Sequence, residues 1–154
     1  MRIEVDDLSG ADVQDLLAGH LAEMYATSPA CSVHALDLDA LRALAVTVWT
    51  ARDAGRLIGV GALKELAPDH GEVKSMRTAA AARGRGVGEA VLGTILGAAR
   101  ARGYSRVSLE TGSQPFFAPA RRLYARHGFV ECAPFADYVL DPSSVFMTLE
   151  LPSP

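Results

Sequence analysis

Six residues stand out for the chemistry their spacing permits: Arg83-Gly84-Arg85-Gly86-Val87-Gly88, between a predicted strand and a predicted helix. A dinucleotide-binding GxGxxG starting at Gly84 would need glycine at 89, where Glu89 stands. A P-loop would need Lys followed by Ser or Thr after its last glycine, and neither follows. What remains is Arg-x-x-Gly-x-Gly at a helix start. Backbone N–H groups there lack intrahelical acceptors, the helix dipole favours anions, and glycines let a phosphate approach the backbone. Arg83 and Arg85 add positive charge. The segment reads either as a pyrophosphate cradle or as a solvated Gly/Arg turn.

The elements that must position this loop follow from periodicity. Arg2–Val5 alternates as a short strand. Ser9 reads as an N-cap with Asp12 in the capping-box position, ahead of a helix to about Tyr25. Ser28–Leu36 is a loop and Asp37–Ala45 a short helix. Val46–Arg52 and Arg56–Leu63 form a hairpin around Asp53-Ala54-Gly55. Glu72–Thr78 is a strand, Gly88–Arg102 a helix closed by Gly103, and Arg106–Thr111 a strand. Pro119 opens a helix that runs to His127. Phe129–Pro134 and Val145–Leu151 are the last strands. The order is β-α-α-β-β-β-α-β-α-β-β. Strand 72–78, helix 88–102 and strand 106–111 make a crossover, so those strands should be parallel inside a mixed α/β sheet.

Composition bounds the alternatives. The 154 residues fit one domain, 49% of them hydrophobic and 21% charged. A net charge of −3 argues against a general nucleic-acid binder. The charge is uneven: residues 1–72 carry net −7 and residues 73–154 net +4, which suggests a local polyanion site in the second half. Cys31 and Cys132 stand alone, and no Cys/His spacing fits zinc, so no metal is expected. A reducing, cytoplasmic setting is the reading, with a single distant disulfide as its alternative. The acidic N-terminus is no signal peptide, and no run is apolar enough to span a membrane.

Arg83-x-x-Gly86-x-Gly88 resembles the acetyl-CoA pyrophosphate loop of the GNAT superfamily of N-acetyltransferases. The hairpin Thr50–Leu63, with Gly55 at its turn and Ile58-Gly59-Val60, is similar to the family's second and third strands. Ala120-x-x-Leu123-Tyr124-x-x-x-Gly128-Phe129 resembles its C-terminal helix–strand motif. The three motifs occur in the family's order over residues 46–130. Val33-His34-Ala35-Leu36-Asp37, Leu109-Glu110-Thr111-Gly112, Pro134-Phe135-Ala136-Asp137-Tyr138 and Ser144-Val145-Phe146-Met147 look like a little-characterised small group within it. The resemblance implies the acyl-CoA N-acyltransferase fold across residues 1–154 as one domain.

It also implies roles. Acetyl-CoA would lie on Arg83, Gly84, Arg85, Gly86, Val87 and Gly88, its pantetheine arm along Met76, Arg77 and Thr78. The parallel strands would splay to admit it, and backbone N–H groups could polarise the thioester carbonyl. Tyr124 matches the tyrosine that protonates the departing thiolate in many relatives; the bland alternative is a core aromatic. Glu72 resembles the family's base position. Period two puts Glu72, Lys74 and Met76 on one face unless a bulge intervenes, and a plain Glu72–Lys74 surface pair is the alternative. Glu110 is a second carboxylate. His34, Glu110 and Tyr138 are candidates for the acceptor pocket. Relatives often carry Asn seven residues before the tyrosine, where Phe117 stands here.

The expected reaction is acetyl transfer from acetyl-CoA to a small-molecule primary amine by direct attack in a ternary complex. A protein or peptide acetyltransferase and a non-catalytic acyl-CoA-binding module are the alternatives. Small acetyltransferases of this kind often form homodimers, and no stripe of residues marks an interface.

Overall fold

The computed structural model describes residues 1–152, the side chain of Cys31 excepted. A disulfide from Cys31 therefore falls outside the described residues. Chain order is β1 (Arg2–Val5), α1 (Ala11–Thr27), α2 (Leu38–Leu41), β2 (Val46–Asp53), β3 (Arg56–Ala67), β4 (His70–Thr78), α3 (Val87–Ala101), β5 (Arg106–Gly112), α4 (Ala118–Arg126), β6 (Val130–Glu131) and β7 (Ser144–Glu150). The strands form one sheet in the order β1-β2-β3-β4-β5-β7-β6. Among the described residues only β4 and β5 run parallel; every other pairing is antiparallel. This is the mixed α/β sheet expected from the crossover.

Helices cover both faces. Helix α3 buries Val87, Val91, Leu92, Ile95, Leu96 and Ala99 against the sheet. Each of the larger side chains contributes about 1.5–3 kcal/mol on burial. Val13 and Leu17 of α1, with Leu8 and Leu41, pack on Val48, Val60 and Ala62 on the other face.

The start of α1 differs from expectation. Gly10 is the N-cap residue, and Ser9 Oγ instead donates to Asp7 Oδ1 at 2.6 Å. Leu8 is 1% exposed and adopts φ 66°, so anchoring it in the core turns the chain and delays the helix. Asp12 pairs with Arg52 rather than completing a capping box. The last hairpin is also shorter: β6 spans Val130–Glu131 alone, although Cys132 N–H still donates to Phe146 O at 2.9 Å.

Two irregularities shape the functional region. Strands β4 and β5 pair only from His70–Arg106 to Glu72–Ser108 and then part. Strand β4 also bulges: Ser75 adopts φ 56°, and the register against β3 jumps between Val60 and Ala62. An extra residue in one strand reverses which face the following side chains occupy. Glu72 and Lys74 therefore share one face, while Met76 packs with the α3-side core.

Candidate active site

A groove of about 810 Å³ runs from the start of α3 to the gap between β4 and β5. At one end is the glycine loop. Gly84 and Gly86 adopt φ 76° and 80°, the left-handed region that a Cβ disfavours. Gly86 is the N-cap of α3, which has no side-chain cap. The N–H groups of residues 84–89 donate to no acceptor among the described residues. A 15-residue helix thus presents a row of free donors at its positive end. Arg83 lines the groove. Arg85 does not; it is exposed and pairs with Asp53 at 3.2 Å. This donor set fits a pyrophosphate.

Met76, Arg77 and Thr78 line the next stretch. Arg77 forms an ion pair with Glu23 of α1, and its Nε has no partner. Opposite, Tyr124 lines the groove from α4. Its ring is buried and meets Phe129 edge-on at 5.8 Å. Burial, then the nearby Glu110 charge, pushes its phenol well above the ordinary tyrosine range. Phe117, at the position where relatives often carry Asn, is also buried and lies against Gly112, where a Cβ would come within 2.0 Å of the ring. Arg121 donates to Gly112 O at 2.6 Å and Gln114 O at 3.1 Å, which ties α4 to the end of β5.

The two carboxylates have different surroundings. Glu72 is 2% exposed. Lys74 Nζ donates to its Oε2 at 3.0 Å and to the Tyr138 hydroxyl at 2.9 Å. Tyr138 in turn donates to the same Oε2 at 2.5 Å. The Glu72–Lys74 pair is therefore a buried one, not the surface pair weighed as an alternative. Burial, then Glu72, drives the Tyr138 phenol far upward, so it stays a donor.

Tyr138 does not line the groove: its hydroxyl is engaged by Glu72 and Lys74, and its ring meets Phe135, Phe146 and His34. His34 lines the groove and contacts Tyr138 edge-on at 4.9 Å. Glu110 faces the groove from β5. Among the described residues it has no ion pair, and the Ser144 hydroxyl beside it holds the carboxyl down only in part. Burial dominates and pushes Glu110 up to about 7.

The groove thus gathers Glu72, Met76, Arg77, Thr78, Arg83, Gly84, Gly86, Val87, Gly88, Glu110, Tyr124 and His34, and leaves Arg85 and Tyr138 outside its walls. His20 of α1, a buried residue, also lines the groove. Burial, then Arg77, pushes it down to about 4. In the sequence it is a lone histidine on the first helix, with no motif to mark it.

A pyrophosphate cradle, a parted strand pair and a phenol beside the part describe an acyl-CoA-using transferase. Residues 13–129 match the acetyltransferase (GNAT) family. YsnE of Bacillus subtilis, described as an uncharacterised N-acetyltransferase, is 52% identical over 151 residues, covering 98% of this chain and 100% of that protein. A crystal structure from Klebsiella pneumoniae, described as an acyl-CoA N-acyltransferase, is 30% identical with a TM-score of 0.82, covering 97% of each chain. A GNAT acetyltransferase of Elizabethkingia anophelis with acetyl-CoA bound shares the fold at TM-score 0.69 and 17% identity, covering 97% of each chain. The chain belongs to the GNAT family of acetyltransferases. It is an acetyl-CoA-dependent N-acetyltransferase. Among the described residues, no helix is long and apolar enough to cross a membrane.

Proposed function

We propose that this enzyme transfers acetyl from acetyl-CoA to the primary amine of a small molecule, by direct attack in a ternary complex, with residues 1–154 acting as one domain. The observation that carries this reading is one open groove. It joins the free N–H donors of residues 84–89 to the β4–β5 gap, with Tyr124 and Glu110 both in its walls.

The loop from Arg83 to Gly88 holds the pyrophosphate through backbone N–H groups and the Arg83 charge. Arg85 adds only long-range field, because Asp53 already pairs with it. The backbone of Met76, Arg77 and Thr78 runs along the pantetheine arm, and an N–H there polarises the thioester carbonyl. Bound acetyl-CoA supplies the acyl group as a thioester. An aliphatic amine with a pKa near 10.4 needs about 4.6 kcal/mol to lose its proton at pH 7, so a base is useful. Glu72 is clamped by Lys74 and Tyr138 and acts by holding the wall of the gap rather than by meeting the amine. Tyr124 stays protonated at neutral pH and donates to the departing sulfur.

Free-thiol release from acetyl-CoA, followed across a panel of primary amines, tests this reading. Tyr124→Phe should lower kcat by about 10²–10⁴-fold. The KM for acetyl-CoA should stay nearly unchanged, because the cradle is separate from the phenol. Full activity in Tyr124→Phe would remove the assigned acid.

A further inference from the structure

The acceptor end of the groove narrows which amine it takes, an inference that rests on the acetyl-transfer reading above. His20 comes from α1, His34 from the loop after it, Glu72, Lys74 and Arg77 from β4, and Glu110 from β5. Each strong cation already has a carboxylate. Lys74 is paired with Glu72, both side chains less than a tenth exposed, and Arg77 is paired with Glu23. Burial lowers both His20 and His34, which keeps the imidazoles neutral. Arg83 and Arg122 belong to the cradle end, and Arg126 there pairs with Glu89. Of the charged side chains that line the acceptor end, Glu110 is the one without a counter-charge; Asp141, behind the wall, is held by the Ser32 hydroxyl, and its charge, like that of Glu72, favours a proton or cation at Glu110.

We propose that Glu110 receives the acceptor's ammonium group, first as its counter-ion and then as the acceptor of its proton, and that the acceptor is a primary amine with no carboxylate beside the nitrogen. The ammonium N–H bond breaks, its proton moves to a Glu110 oxygen and then to solvent, and the electron pair stays on nitrogen for attack on the thioester carbon. The C–N bond forms and the C–S bond breaks. A second proton leaves nitrogen as the amide forms and restores the one that Tyr124 gives to sulfur. A carboxylate on the neighbouring carbon would enter beside Glu110, where the charges of Lys74 and Arg77 are already balanced by Glu72 and Glu23 and Arg77 Nε is the one donor left over. Desolvating such a carboxylate without a partner is unfavourable. Amino acids are therefore disfavoured relative to their decarboxylated counterparts.

The test is free-thiol release by the full chain with matched pairs: phenethylamine and phenylalanine, tyramine and tyrosine, agmatine and arginine. The amine should exceed its amino acid by about 10²-fold in kcat/KM. Equal rates, or a preference for the amino acids, would overturn the inference and leave acetyl transfer standing. If acetyl-CoA binds but no compound releases thiol, the acetyl-transfer reading fails and this inference fails with it. Glu110→Gln should cut kcat/KM for the preferred amine by about 10²-fold at pH 7. That deficit should narrow toward pH 10 as free amine replaces ammonium, and Glu110→Asp should recover part of it. Unchanged kcat/KM in Glu110→Gln, or a loss that is the same at every pH, would overturn the proposal.

Discussion

Glu110 should make the folded chain progressively less stable as pH rises, and Glu110→Gln should remove that dependence. Burial raises its carboxyl from an ordinary 4.5 to about 7. The folded chain therefore holds this proton more tightly than the unfolded chain does. The stabilising contribution of the bound proton is complete below about pH 4.5 and is lost as pH climbs through 7. At about 1.36 kcal/mol per pH decade, the full swing is about 3 kcal/mol. With about 2.1 cal/mol/K of unfolding entropy per residue, that corresponds to about 10 °C in Tm. Glutamine keeps the shape and cannot ionise. Thermal unfolding of both proteins at pH 4.5 and pH 8.5 gives a difference of differences in which their common groups cancel. The variant should gain about 10 °C relative to the parent between the two pH values. A gap independent of pH, or a parent that gains on the variant at pH 8.5, would show that Glu110 is solvated and refute the reasoning.

Two further outcomes follow from the geometry. Lys74→Met strands the Glu72 carboxylate in the interior and should destabilise by about 3–5 kcal/mol in urea at pH 7. The double variant with Glu72→Leu should recover most of that, and a single-variant loss under about 1 kcal/mol would mean the pair is not buried. Gly86→Ala puts a Cβ at φ 80° and should cost about 1–3 kcal/mol in backbone strain. It should also weaken acetyl-CoA binding by calorimetry, and an unchanged Kd would place the pyrophosphate elsewhere.

What the sequence made legible was whatever depends on contiguous residues. The alternation of Val46–Arg52, the stripe from Val91 to Ala99 and the glycine loop each express a local rule, and the observed elements agree to within a few residues. The mixed sheet followed because the β4-α3-β5 crossover forces parallel pairing. Period two alone could not locate the bulge at Ser75, which moves Met76 to the opposite face from Lys74. The Tyr138 clamp joins residues from separate hairpins and leaves no trace in local pattern. The Arg85 pairing with Asp53, which joins the glycine loop to the β2–β3 turn, was equally hidden.

The two glutamates show most directly how geometry assigns what residue type leaves open. Glu72 is the last β4 residue paired with β5, opposite Ser108. There the sheet is still continuous, so the side chain sits under the β6–β7 loop and is met by Lys74 and Tyr138. Glu110 lies two residues beyond Ser108 on β5, on the same face by period two and past the point where the strands part. It faces the groove rather than a paired neighbour, and burial without a counter-charge raises its affinity for a proton. The split between β4 and β5 is thus the feature that sorts the carboxylates. One side of it holds a neutralised, rigid Glu72–Lys74–Tyr138 triangle, and the other a Glu110 poised near neutrality. Pairing that continued two residues further along β5 would bring Glu110 against a β4 neighbour as well, so the point at which β4 and β5 part decides which carboxylate is left without a partner.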